Sequence, residues 1–269
     1  MPLMSGNRTL LEFVSGKGEW DGEFLMAECR RALAPCTSIP SVQYALNPYG
    51  GCEHGCVCCC APKATHADPL SWRVVRVRSG IAQRLSRELP AVAGSAIAVG
   101  TATDPYQYAE RRFLLTRSCL EAIMPGRNRV VVLTKSDLVV RDIDLLLGLG
   151  AKVAMRVPVA DERTSKVLEP GAPSPKARLD AASRLCSEGV ETVVSVSPVA
   201  SFTEGRESEL AEAIAAAGVR TVLAEGLDMR HLDSVSMDRR GIAPSESAMG
   251  VLEKEFGRRG LELRRSFSV

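Results

Sequence analysis

Asn47-Pro48-Tyr49-Gly50-Gly51-Cys52-Glu53-His54-Gly55-Cys56-Val57-Cys58-Cys59-Cys60 follows directly on an apolar run at 42–46. The chain has nine cysteines, and five of them fall between positions 52 and 60. Cys52, Cys56 and Cys59 are spaced so that one short loop presents three thiolates to a shared partner. Pro48 biases Asn47 toward extended backbone, so the chain leaves the apolar run straight. Glycines at 50, 51 and 55 tolerate positive φ and allow a tight curl around whatever the thiolates hold. A reactive loop at the carboxyl end of a strand is the usual place for chemistry in a β/α repeat, so this stretch decides the fold if the rest of the chain repeats.

It does. Beyond 42–46, short β-branched runs recur at 95–100, 130–134, 152–157, 192–196 and 221–224, each read as a strand. Between them lie helical stretches near 80–89, 111–124, 141–149, 174–188 and 207–217. The stretch 174–188 shows the pattern well: Pro175 suits a first turn, Leu179, Ala182 and Leu185 recur at helical spacing, and Gly189 follows the end. Asp142 and Asp144 sit early in their helix, where negative charge meets the dipole favourably. Strand–helix repetition implies parallel strands with helical crossovers. The fold class is α/β, a partial (β/α)6 TIM-type barrel, with an open doubly wound sheet as the alternative. Residues 1–37 read as an amino-terminal extension, 38–229 as the core, and 230–269 as a closing segment with a helix over 245–259 and a final short strand. Polar residues gather after the strands: Thr103 and Asp104, Lys135 and Ser136, Arg156, Ser197, and Glu225.

Composition narrows the function. The 269 residues are 45% hydrophobic, enough for a sizeable core. Net charge is only +2 and aromatics are 4%, so neither a basic footprint nor a stacking platform marks the chain as a nucleic-acid binder. No apolar run approaches the roughly 20 residues of a membrane span, and Met1 to Gly22 lacks the apolar core of a secretory signal. A cytoplasmic protein is expected. There, thiols stay reduced, and nine cysteines point to metal binding or catalysis rather than disulfides.

With these residues in place, the sequence resembles the radical SAM superfamily, and within it the spore photoproduct lyase-like branch. Besides the cysteine loop, the matching stretches are Gly100-Thr101-Ala102-Thr103-Asp104-Pro105-Tyr106-Gln107, Leu133-Thr134-Lys135-Ser136 and Leu168-Glu169-Pro170-Gly171. The resemblance implies that Cys52, Cys56 and Cys59 bind three irons of a [4Fe–4S] cluster. S-adenosylmethionine (SAM) chelates the fourth, and one-electron reduction releases a 5′-deoxyadenosyl radical that abstracts hydrogen from a substrate. It also implies an external electron donor, flavodoxin- or ferredoxin-like. Thr103 and Asp104 are expected to face the SAM amino group and Lys135 its carboxylate. Arg156 stands where a small hydroxyl residue usually faces SAM, and an arginine there either reaches a carboxylate or ribose or intrudes on the pocket. Backbone around Ser195–Ser197 is expected to flank the adenine. Two departures stand out. Cys58 and Cys60 replace aromatic residues that flank the third cysteine, and a thiol lacks the area of a ring. Thr101 stands where spore photoproduct lyases carry a hydrogen-donating cysteine. The substrate and the oligomeric state are left open.

The competing reading is a non-catalytic protein: an iron–sulfur redox carrier or scaffold, or a structural zinc site completed by His54 or His66. Zinc sites usually draw paired cysteines from two segments, whereas this chain offers one. Cys58 and Cys60 read as small filler behind the cluster, with an auxiliary set formed with Cys29 and Cys36 as the sharper alternative. Cys119 and Cys186 read as core thiols.

Overall fold

The computed structural model describes residues 19–69 and 71–265; residues 1–18 of the expected extension, Leu70 and residues 266–269 fall outside the described residues. The strands, in chain order, are β1 (Glu19–Trp20), β2 (Leu25–Glu28), β3 (Leu33–Pro35), β4 (Tyr44–Leu46), β5 (Tyr49–Gly50), β6 (Arg76–Ser79), β7 (Ala96–Val99), β8 (Arg129–Thr134), β9 (Lys152–Arg156), β10 (Glu191–Val199), β11 (Thr221–Gly226) and β12 (Glu262–Arg264). The helices are α1 (Ala61–Ala64), α2 (Ile81–Glu88), α3 (Glu110–Phe113), α4 (Leu115–Ile123), α5 (Ile143–Leu149), α6 (Glu162–Leu168), α7 (Pro175–Ser187), α8 (Glu207–Ala216), α9 (Ser234–Arg239) and α10 (Glu246–Arg258).

The six expected strands, β4 and β7 through β11, lie side by side in sequence order, all parallel. β12 adds a parallel strand beyond β11, and β3 an antiparallel one beyond β4. The two edges are not paired with each other, so the barrel is partial. Strand alternation separates two faces. Ile97, Val132, Val153, Val194 and Val222 face the helices and join their apolar stripes in the main core. Ala96, Ala98, Val131, Leu133, Ala154, Val193 and Leu223 line the concave face as a second cluster. Val42, with Cys36 and Ile39, packs against that cluster at the amino ends of the strands. No described helix is long and apolar enough to cross a membrane.

Three differences from the sequence reading have physical causes. The helix expected over 111–124 is two helices, α3 and α4, broken at Leu114, whose φ is +54°. The fully buried Glu110 carboxylate accepts from the amides of Thr116 and Arg117, so the second helix starts on a cap the first supplies. The segment 137–142 is a 3-10 turn ahead of α5, and Asp142, at the N-cap of α5 with Asp144 in its first turn, is wholly buried and paired with Arg117 and Arg141. The described part of the amino-terminal extension carries strands of its own: β1 and β2 build a second sheet with β6 and β5, and β3 joins the barrel sheet. By contrast α7 forms as read, with Ser174 accepting from the amide of Ala177 at 3.2 Å and Pro175 opening the helix.

Candidate functional site

The cysteine loop runs from β5 to α1 and is fixed from several sides. The Gln107 side chain clamps it around Cys52: Oε1 accepts from the Glu53 amide at 2.9 Å, and Nε2 donates to the Gly51 carbonyl at 3.2 Å. The Cys52 amide donates to Trp72, the Val57 amide to the Leu168 carbonyl, and the Gly171 amide to the His54 carbonyl. Gly51 has φ +77°, and a Cβ there would stand 2.6 Å from the carbonyl oxygens of Trp72 and Val74. Gly50, expected to share this freedom, is instead an ordinary residue of β5. At Gly171 a Cβ would collide with the Glu53 carbonyl, so Leu168-Glu169-Pro170-Gly171 serves as a brace for the loop. Gly171→Ala is therefore expected to displace Glu53 and His54, cost about 1–3 kcal/mol, and lower the iron held after reconstitution. Thermal melting and iron assay together check this.

Cys52, Cys56 and Cys59 are each partly buried and free, close enough that Cys56 acts electrostatically on both others. Burial pushes the Cys52 thiol up to about 12 and raises that of Cys59, so bare thiolates are disfavoured and a bound cation is needed to hold them deprotonated. Among the described residues no three His, Cys, Asp or Glu side chains converge on a single-ion position. One zinc would need three sulfurs at about 2.3 Å from a common centre, whereas the corners of a cubane accept thiolates set further apart. His54 is buried, and burial holds its imidazole below the ordinary value, so it stands neutral with Nδ1 3.6 Å from Asp104. His66 is exposed. The four other cysteines considered for a second cluster are scattered. Cys29 packs in the main core, Cys36 against the concave face, Cys58 against a separate apolar cluster that includes Leu168 and Leu232, and Cys60 is exposed at the start of α1.

The strand-end residues gather at the carboxyl ends of the strands, and the side chains of Thr103, Asp104, Lys135 and Ser197 are engaged within the protein. Asp104, expected to face the SAM amino group, accepts from the Tyr106 amide (2.9 Å), the Thr134 hydroxyl (2.8 Å) and the Lys135 amide (2.7 Å). It ties the β7 and β8 loops together. Thr103 donates its hydroxyl to the Tyr49 carbonyl at 3.0 Å. Lys135 extends Nζ to Glu169 at 2.6 Å and to Cys56 Sγ at 3.1 Å. Arg156 stands on the concave face, and its Nε is buried without a hydrogen-bond partner among the described residues. Ser197 donates to the exposed Glu225 at 3.1 Å.

Sequence reasoning missed three residues. Gln107 and Glu169 lie inside matching stretches, but spacing alone does not say what they hold. Arg178, wholly buried on α7, donates to Glu169 at 2.5 Å and to the carbonyls of Pro173 and Arg156. Its one signal is an arginine on the apolar face of a helix. The donor set fits a [4Fe–4S] cluster: three thiols on a glycine-shaped loop, braced by neighbouring strand ends, with an unpartnered guanidinium nitrogen nearby.

Comparison with known proteins agrees with this geometry. An uncharacterised protein of Mycobacterium tuberculosis (strain H37Rv) is 32% identical over 220 residues, covering 75% of this chain. The chain spans 64% of the length of that relative. An uncharacterised protein of Methanocaldococcus jannaschii is 29% identical over 182 residues, covering 66% of this chain and 68% of the relative. Among solved structures, a spore photoproduct lyase mutant with bound AdoMet and dinucleoside spore photoproduct matches with a TM-score of 0.67 at 16% identity, covering 90% of this chain and 82% of that one. Streptococcus suis SuiB bound to S-adenosylmethionine matches with a TM-score of 0.57 at 12% identity, covering 85% and 52%. These two likenesses are of fold. The family model of the Radical SAM superfamily, whose members use a [4Fe–4S] cluster and SAM, matches residues 46–222, from the end of β4 into β11. With the cysteine loop and its braces inside that span, the chain belongs to the radical SAM superfamily.

Proposed function

We propose that this chain is an enzyme that cleaves SAM reductively, with Cys52, Cys56 and Cys59 as the cluster ligands, and uses the resulting 5′-deoxyadenosyl radical to abstract hydrogen from a substrate. The observation that carries the reading is the cysteine loop itself, clamped by Gln107 and braced by Gly171 at the carboxyl ends of the parallel strands. When bound, the reduced cluster supplies one electron to SAM, breaking its S–C5′ bond to give methionine and the radical. The chain's residues bind and orient. Arg156, with Nε unpartnered on the concave face, takes the carboxylate or ribose of SAM. Because Thr103 and Asp104 spend their side chains on the loop, that turn meets the amino group through its backbone. Ser197 and the backbone from Ser195 flank the adenine. An external flavodoxin- or ferredoxin-like protein delivers the electron.

The substrate differs in its demands from that of the spore photoproduct lyases. Thr101 carries no thiol to return a hydrogen atom, and its Oγ accepts from Asn47 at 3.1 Å. A reaction that leaves the hydrogen on 5′-deoxyadenosine fits this turn better than one that hands it back through a cysteine there. Anaerobic reconstitution should give a brown protein with about four irons and four sulfides that releases 5′-deoxyadenosine with dithionite and SAM. A protein that holds the iron and never cleaves SAM would be an iron–sulfur carrier. Zinc without sulfide would make the loop a structural metal site.

A further inference from the structure

Lys135 stands 3.1 Å from Cys56 Sγ. The ammonium is held there. Its Nζ is 2.6 Å from Glu169 Oε1, the other carboxylate oxygen takes Arg178 at 2.5 Å, and Arg178 is anchored on the carbonyls of Pro173 and Arg156. Lys135 and Glu169 side chains are 14% and 4% exposed, and Arg178 is wholly buried, so solvent screens this chain poorly. An ammonium has three N–H donors, enough to serve the carboxylate and a sulfur together. A thiolate bound to iron keeps lone pairs to accept such a bond, and hydrogen bonds to ligand sulfurs and net charge are among the main controls on cluster potential.

We propose that Lys135, positioned by Glu169 and Arg178, acts on the cluster through Cys56 and raises its reduction potential. This rests on the reading of Cys56 as a cluster ligand. The sign follows from charge. The set of two cations and one anion carries a net +1 beside a cluster that gains an electron on reduction, and positive charge favours the reduced form. Lys135→Met takes the set to zero, Glu169→Gln takes it to +2, and Lys135→Arg keeps it at +1. Lys135 is thus a positioning and tuning residue.

The test is potentiometric titration of the reconstituted proteins without SAM, followed by the electron paramagnetic resonance signal of the reduced cluster. K135M is expected to shift the reduction equilibrium about tenfold toward the oxidised form, ~59 mV for a one-electron couple. E169Q should shift it the other way, and K135R should match the wild type. Opposite shifts from two partners of one ion pair are not produced by general loosening of the loop. Should E169Q fail to fold, the K135M and K135R pair carries the test alone. An unmoved potential in K135M, with weakened SAM binding by calorimetry, would place Lys135 on the SAM carboxylate and overturn the inference while leaving the proposed function intact. Failure of K135M to assemble a cluster that K135R assembles would make the lysine a structural support and overturn it as well. A wild-type protein without an iron–sulfur signal would overturn both readings together.

Discussion

Glu169→Gln is expected to lower stability at pH 7 by about 3–5 kcal/mol, the cost of removing one partner from a buried ion pair. One carboxylate separates two buried cations here, and the amide that replaces it leaves Lys135 and Arg178 without a counter-charge. Burial would push the Glu169 carboxyl up, but Lys135 and Arg178 override it and hold it at about 2, against an ordinary 4.5. Because the folded value lies below the unfolded one, the stabilisation is fully present above about pH 4.5 and is lost as pH falls through about 2. Chemical denaturation across that range should therefore show the gap between wild type and variant widest at neutral pH and shrinking in acid. A gap that stays constant with pH would show that the carboxylate's charge is not what matters.

Cys59→Ala has the largest expected effect on activity. The variant should lose the cluster and fall to the 5′-deoxyadenosine background of cluster-free protein. Its metal-free stability should stay within about 1 kcal/mol of the wild type. The reasoning is that the loop's shape comes from Gln107, Trp72, Leu168 and Gly171, none of which depends on the thiol. Iron and sulfide assay with a melting curve of the metal-free protein checks both halves. A variant that unfolds would instead support a structural metal.

What the sequence made legible was local. The six parallel strands announce themselves as β-branched runs, and α7 has its first-turn Pro175, its apolar spacing and its terminal Gly189 within fifteen consecutive positions. The cysteine spacing is equally local. The contacts that hold the site are not. Lys135, Glu169 and Arg178 come from a strand end, a helix end and a helix interior, and their meeting depends on how α6 and α7 close over the barrel. Asp104 accepts from its own turn and from the end of β8, so the direction of its carboxylate follows from the fold and not from its neighbours in sequence. Leu114 is likewise unreadable in advance, because the break in α3–α4 answers to a buried carboxylate. The second sheet escaped notice since strands of two to four residues leave no periodicity to detect.

The packing of Cys36, Ile39 and Val42 against the concave face has a consequence for traffic. Among the described residues that plug covers the concave face at the end away from the cysteines, so a molecule reaching this face from the cysteine loop finds the opposite end stopped.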